Sequence, residues 1–461
     1  MTSGATGRRM AGAVLVALAG LVSGLAWPVA ETRADHRPNV IVVLTDDQRW
    51  DGFDAMPWLR GVLEEPGSGW VNVPDAFANT PLCCPARASL LTGRYARHTG
   101  VQDNDDGGKL DESSTIATWL HEAGYRTGLV GKYLNGYPFG RLPYVPAGWD
   151  RFVAKRNQTG ATVYRDFHAV DQGSPVFVHG YATDWLAEQA VQFVRTAPPT
   201  RPFFLLFAPS APHPPWIPAD RHVGAYAGLS VDEPPNVVGA LRGASPWVRS
   251  LPEPSAAQRT RWLDDQRRAD ETLLAVDEAL QAIVRALADR LDDTYIFVLS
   301  DNGYSFGEHR WEGKKCPYEA CVRIPLAIHV PATGPVALGV ISMVDLAPTI
   351  LSLAHVPPPA SADGSGFSDL LKAHPDPVES RPAEAVYLEW VGDAQIPAWT
   401  AVRTSRLKLI RYGDGLEELY DIGGRIGRPD PWEMVNRVAD PRYAGILARL
   451  RRLLGVRLGR V

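Results

Sequence analysis

The stretch Cys83-Cys84-Pro85-Ala86-Arg87, continued by Ala88-Ser89-Leu90-Leu91-Thr92-Gly93-Arg94, sets a thiol at the start of a short helix. Pro85 suits the first helical position, where its missing N–H costs nothing. Ala86 to Thr92 can be helical, and Gly93 is a good C-terminal stop. Cys83 then sits just ahead of the helix N-terminus, where unpaired amides and the positive dipole end favour an anion. Arg87, one turn in, can point back at the same place. The sharper reading is a reactive side chain beside an anion site. The plainer one is a buried cysteine pair before an ordinary helix, which is what a lone cysteine usually is.

Other chemistry-bearing residues follow apolar runs. Asn39–Thr45, Gly128–Gly131, Phe203–Ala208, Tyr295–Ser300 and Ile324–Val330 are short and do not alternate, which predicts buried parallel strands. Helices are expected over Thr115–Ala123, over a stretch with Trp185, Leu186, Ala190, Val191 and Val194 on one face, and over Ala256–Arg290. The alternation predicts an α/β sandwich with helices on both faces of the sheet. The first run ends in Asp46-Asp47, the second in Lys132, the third leads to Pro212-His213, and the fourth ends in Asp301-Asn302. One Asp-Asp after a strand is usually a turn or a cap. Four such ends on one edge of an open α/β sheet, where ligands gather, predict a site.

The full string Cys-x-Pro-x-Arg-x4-Thr-Gly-Arg resembles the signature of the formylglycine-dependent sulfatases, in the alkaline-phosphatase-like superfamily. The resemblance extends over most of the chain. It implies an alkaline-phosphatase-like fold: a large, mostly parallel central sheet flanked by helices, with a small C-terminal antiparallel sheet and helix. It implies that Cys83 is oxidised by a formylglycine-generating enzyme to an aldehyde, 3-oxoalanine (formylglycine). Asp46 and Asp47 match the family's first metal-binding pair, and Asp301 and Asn302 the second. With an oxygen of converted Cys83 they make an all-oxygen set, which suits calcium, with magnesium as the alternative.

Lys132, in Gly-Lys-Tyr-Leu-Asn, matches a lysine that contacts the substrate sulfate, and His213, in Ala-Pro-His-Pro-Pro, the substrate-side histidine. Lys314, four residues before Tyr318, matches a second sulfate lysine, with the adjacent Lys315 as the alternative. The implied mechanism has a hydrated aldehyde attack sulfur, with Arg87, Lys132, Lys314 and the cation stabilising charge and a histidine as general acid. The second hydroxyl then expels sulfate. Many arylsulfatases carry a histidine two residues after the first lysine, whereas this chain has Leu134. Gly-Lys-Tyr-Leu-Asn and the Cys-Cys-Pro start instead resemble the N-acetylglucosamine-6-sulfatase and heparan endosulfatase branch. Small sulfated substrates follow as the expectation, sulfated sugars ahead of aryl sulfates. His98 and His309 are further candidates for the acid. A phosphoester or phosphonate hydrolase of the same superfamily, or an unconverted non-catalytic homologue, are the competing readings.

Bulk properties frame this. The 461 residues are 45% apolar and 21% charged, with a formal net charge of −5, which gives no reason to expect nucleic-acid binding. Arg8-Arg9 precede an apolar stretch from Met10 to about Ala26, which reads as an export signal over residues 1–34. Secretion or residence in the cell envelope, with no stable membrane span after cleavage, is the expectation. Residues 35–375 read as the catalytic domain. Residues 376–461, with short strands at Val386–Trp390, Thr400–Thr404, Arg406–Tyr412 and Glu417–Ile422 and a basic helix over Tyr443–Leu454, read as a small α+β subdomain. Residues 135–180 and the proline-rich 214–255 read as long loops. Of the four cysteines, Cys316 could bridge Cys321, or Cys84 could pair with either.

Overall fold

The computed structural model describes Met1 and residues 37–156, 158–228, 232–239, 241–331, 338–371 and 384–457. Apart from Met1, the expected signal lies outside the described residues, as does the expected boundary at 375/376. The compact unit runs Arg37–Val461.

Its centre is a nine-stranded sheet made of β1 (Asn39–Thr45), β2 (Trp70–Asn72), β3 (Arg126–Gly131), β4 (Arg151–Lys155), β5 (Arg165–Asp171), β6 (Ser174–Tyr181), β7 (Phe203–Ala208), β8 (Thr294–Ser300) and β9 (Leu326–His329). Their spatial order is β2-β9-β8-β1-β7-β3-β4-β5-β6. The strands β8, β1, β7, β3 and β4 are parallel. The flanks β2, β9, β5 and β6 pair antiparallel. One face packs on α1 (Cys83–Thr92), α2 (Ile116–Glu122) and Leu346–Leu353, the other on α3 (Ala182–Arg195) and α4 (Ala256–Leu287). Burial on both faces explains why the central strands read as unbroken apolar runs.

Two expectations are corrected. The run Ile324–Val330 holds β9, which is antiparallel to β8, because an apolar run carries no record of strand direction. Residues 135–180 are not one long loop: they hold β4, β5 and β6. β6 has one exposed face and polar residues between apolar ones, and a register irregularity at Arg165/Phe167 breaks its pairing with β5, so neither strand looks like the buried core runs. By contrast 214–255 is mostly irregular, with a 3-10 turn at Asp220–His222 and a short α-helix at Pro246–Arg249 among its described residues.

The C-terminal sheet comprises β10 (Ala385–Trp390), β11 (Trp399–Thr404), β12 (Lys408–Tyr412) and β13 (Glu417–Tyr420), antiparallel throughout, and a helix follows over Ala444–Arg457. Buried ions fasten it to the rest. The Arg403 guanidinium lies 3.1 Å from the Glu319 carboxylate, and the Lys408 ammonium 3.1 Å from Glu319 and 2.8 Å from Glu433. The other Glu433 oxygen accepts the Glu319 N–H at 2.7 Å. Cys316 and Cys321 form a disulfide, and Cys83 and Cys84 are free.

Candidate active site

The carboxyl ends of the parallel strands meet the N-terminus of α1. That helix begins at Cys83, two residues earlier than Pro85 suggests: the Leu82 carbonyl already accepts the Ala86 N–H at 3.0 Å. The orphan Cys84 N–H is taken by Asn104 Oδ1 at 3.0 Å, and Pro85 has none to satisfy. The helix ends at Gly93 in the left-handed region, φ 69°. Cys83 is therefore the first helical residue, with 0% exposure, aimed at the end of β1.

Around Cys83 Sγ stand Asp46 Oδ1 at 3.2 Å, Asp47 Oδ1 at 3.6 Å and the Lys314 ammonium at 2.8 Å. Asp47 holds φ 68°, a conformation uncommon for aspartate, and its N–H donates to Asp301 Oδ1 at 3.2 Å. The Lys132 ammonium meets Asp46 Oδ2 at 2.6 Å and the Lys314 ammonium meets Asp47 Oδ1 at 2.7 Å. Arg87 Nε donates to Asp301 Oδ2 at 2.7 Å and its Nη1 to the Lys132 carbonyl at 2.8 Å. Three carboxylates thus face three cations, and Asp46 Oδ2 also lies 3.9 Å from Arg87 Nη2. Gly131 makes the turn that releases Lys132: at φ 126° an added Cβ would fall 2.0 Å from the Ala208 oxygen.

Electrostatics follow from this packing. Burial alone would push the Asp46 carboxyl up, but Lys132, then His213, Arg87 and Lys314, hold it well below its ordinary range. Asp301 is pushed up to about 6 by burial and by Asp46, against Arg87. Burial, then Asp46, pushes the Cys83 thiol well up.

His213 lies on the loop after β7. Its Nδ1 is 2.7 Å from the Pro214 carbonyl, so the proton sits on Nδ1 and Nε2 faces the site, 3.8 Å from Asp47 Oδ2. The Tyr164 hydroxyl donates to the His213 carbonyl at 2.6 Å. Sequence reasoning passed over Tyr164, which precedes β5 inside the stretch read as loop. Lys315 is turned away, onto Asp393 at 2.8 Å, so Lys314 is the lysine in the cluster. Neither His98 nor His309 joins it. His98 is exposed and sits 2.7 Å from Asp363. His309 is buried, stacked on Tyr318 at 3.6 Å, with Nε2 3.0 Å from the Glu433 carbonyl.

The buried His309 gives a stability prediction. Burial depresses its pKa from 6.5 to about 3. Between those values the unfolded chain binds the proton and the folded chain does not, so stability falls as pH drops from about 6.5 toward 3. Denaturant titrations of His309→Gln should show a shallower acid loss, by up to about 1.4 kcal/mol per pH unit. An unchanged slope would contradict it.

The donor set fits a divalent cation. Ligand atoms of Asp46, Asp47, Cys83 and Asp301 lie within 4.8 Å of one another. Asp47 Oδ2 and Asn302 Oδ1 are buried and accept no hydrogen bond among the described residues. Asn302 Nδ2 donates to Asp47 Oδ1 at 2.7 Å, which leaves its oxygen free. Unsatisfied buried oxygens converging from two strand ends fit a hard cation.

Comparison with known proteins agrees with this geometry. The Sulfatase family profile matches residues 38–356, and the N-sulphoglucosamine sulphohydrolase C-terminal profile matches 307–457. Human N-acetylglucosamine-6-sulfatase is 32% identical over 74% of this chain and 65% of its own length. The N-acetylglucosamine-6-O-sulfatase of Bacteroides thetaiotaomicron is 27% identical over 91% of this chain and 86% of its own. The chain spans about a third, 35%, of the Drosophila melanogaster extracellular sulfatase SULF-1 homolog. The structure of BT4656 in complex with its substrate D-glucosamine-2-N,6-O-disulfate superposes with a TM-score of 0.78 at 25% identity, over 92% of this chain and 98% of that one. Phosphonate monoester hydrolase of Agrobacterium radiobacter, at 21% identity and a TM-score of 0.69, shares the fold. On the profile match over most of its length, the chain belongs to the sulfatase family, a family of sulfuric ester hydrolases.

Proposed function

We propose that this chain is an exported hydrolase of sulfate esters on sugars, with position 83 converted to formylglycine. The observation that carries the reading is the buried ring of Asp46, Asp47, Asp301, Asn302, Arg87, Lys132 and Lys314 around Cys83. The sugar assignment draws on the N-acetylglucosamine-6-sulfatase relatives and on the absence of a histidine at position 134. Export draws on the extracellular relatives, on the disulfide and on the signal-like N-terminus. Among the described residues no helix is long and apolar enough to cross a membrane.

The hydrate of the aldehyde would supply the nucleophile. Asp46, Asp47, Asp301 and Asn302 would hold the cation, calcium ahead of magnesium, which adds positive charge beside the nucleophile. Arg87 keeps a buried Nη2 with no hydrogen-bond partner among the described residues, a donor available to a sulfate oxygen. Lys132 and Lys314 bring ammonium groups to the same side of Cys83 for the charge that builds on the sulfo group. His213, with Nδ1–H fixed on Pro214, acts as general acid only after Nε2 takes up a proton from solvent; the imidazolium then gives that proton to the leaving alcohol and returns to the neutral ring, the form that burial favours. No observation favours the phosphoester alternative.

The test is the mass of the tryptic fragment 61–87 from the native host. A loss of about 18 Da from the thiol form marks formylglycine; an unmodified cysteine overturns the nucleophile. On the converted protein, chelation should abolish sulfate release from N-acetylglucosamine 6-sulfate and calcium should restore it. Restoration by magnesium alone would reassign the ion.

A further inference from the structure

One buried cation beside the site has no role so far. β3 and β4 are parallel neighbours with Val130 opposite Val153 and Gly131 opposite Ala154. Val130 and Val153 pack in the same hydrophobic cluster on one face of the sheet. Two residues on, the pleat returns Lys155, the last residue of β4, to that face, while Lys132 follows the turn at Gly131 on the same carboxyl edge of the sheet. Lys132 reaches back across β7 to Asp46. Lys155 is 6% exposed and its ammonium makes no hydrogen bond or ion pair with the described residues; it stands 5.6 Å from the centre of the Phe167 ring.

A buried ammonium without a carboxylate costs several kcal/mol, and an aromatic face returns only a part of that. The three carboxylates of the cluster are already matched by Arg87, Lys132 and Lys314, so Lys155 is a fourth positive charge with no negative one assigned to it. Burial pulls its pKa down to about 8, and the charges of Lys132 and Asp46 act on it, which puts it within electrostatic range of the cluster. It nevertheless stands off. β4 is three strands from β1, about 14 Å at the usual spacing of 4.8 Å, and Lys155 touches none of the groups around Cys83. No carboxylate of the cluster pairs with it directly, so an anion that offsets it at contact distance has to come from outside that cluster.

We infer that Lys155 is a specificity-determining residue of the substrate site, contacting a second anionic substituent, sulfo or carboxylate, on the sugar whose reacting sulfate lies at Cys83. This rests on the proposed sulfatase reading. The test uses converted, calcium-loaded full-length protein. Lys155→Met should raise KM for glucosamine-2-N,6-O-disulfate about tenfold, leave its kcat within about twofold, and leave KM for N-acetylglucosamine 6-sulfate unchanged. Lys155→Arg should recover most of the loss, and its circular dichroism guards against misfolding of the methionine variant. Equal shifts on both sugars, or none on either, overturn the assignment. If the wild type releases sulfate from neither sugar, the sulfatase reading fails. Calorimetric binding of the disulfate then still decides Lys155: weaker binding by Lys155→Met supports it, and equal binding overturns it.

Discussion

Cys83→Ser should take up at most one sulfo group per chain and then stop. A serine hydroxyl at this position can attack sulfur, but its carbon carries no second hydroxyl to expel the sulfate. Steady-state turnover should fall by at least about 10^4-fold, while intact mass after incubation with substrate rises by no more than about 80 Da, one SO3. The side chain is close in size to the thiol and the site is fully buried, so the fold should tolerate the change. Repeated turnover by Cys83→Ser would exclude an aldehyde hydrate as nucleophile.

Lys408→Met should be the most destabilising single change outside the site, at about 3–5 kcal/mol in denaturant titrations. Lys408 is 0% exposed and pairs with both Glu319 and Glu433; Glu319 keeps Arg403 when it is lost, but Glu433 is left as a buried carboxylate with no cation among the described residues. Burial, opposed by Lys408 and reinforced by Glu319, already raises the Glu433 pKa to about 7. A carboxyl with a raised folded pKa costs stability as pH rises from its unfolded value, near 4.5, through the folded one. The deficit of Lys408→Met should therefore be larger at pH 8 than at pH 5. The double change Lys408→Met/Glu433→Gln removes one stranded charge and keeps an acceptor for the Glu319 N–H, so it should cost less than the single one. A double variant as unstable as the single would show that the cost of Lys408→Met is packing, not charge.

What could be read from the sequence follows burial. β1, β7 and β8 lie in the middle of the sheet, so their residues had to be apolar throughout, and the polar residues that end them stood out. Asp46, Asp47, Lys132, His213, Asp301 and Asn302 were found that way, and the structure gathers them around Cys83. β5 and β6 escaped because an edge ribbon with one wet face needs no such run. Lys155 escaped with them: it ends β4, whose core run is only Phe152-Val153-Ala154. His98 and His309 were plausible because they lie near the motifs in sequence. His309 holds φ 53°, and the turn it makes buries the ring against Tyr318 instead of facing it to the cluster.

The closure of the chain over Cys83 fixes an order of events. Its side chain is walled by the ends of β1 and β8, by α1 and by Lys314, with no surface left to water. Another protein's active site cannot reach a sulfur in that position. Any enzymatic oxidation of Cys83 has to happen while residues 83–94 are still an extended peptide, before β8, more than 200 residues downstream, has docked beside β1. If position 83 is converted as proposed, maturation and folding compete for the same cysteine. A chain that folded before conversion would stay in the thiol form, and the fraction of active molecules in a preparation would record how that race was run during synthesis, not how stable the finished protein is.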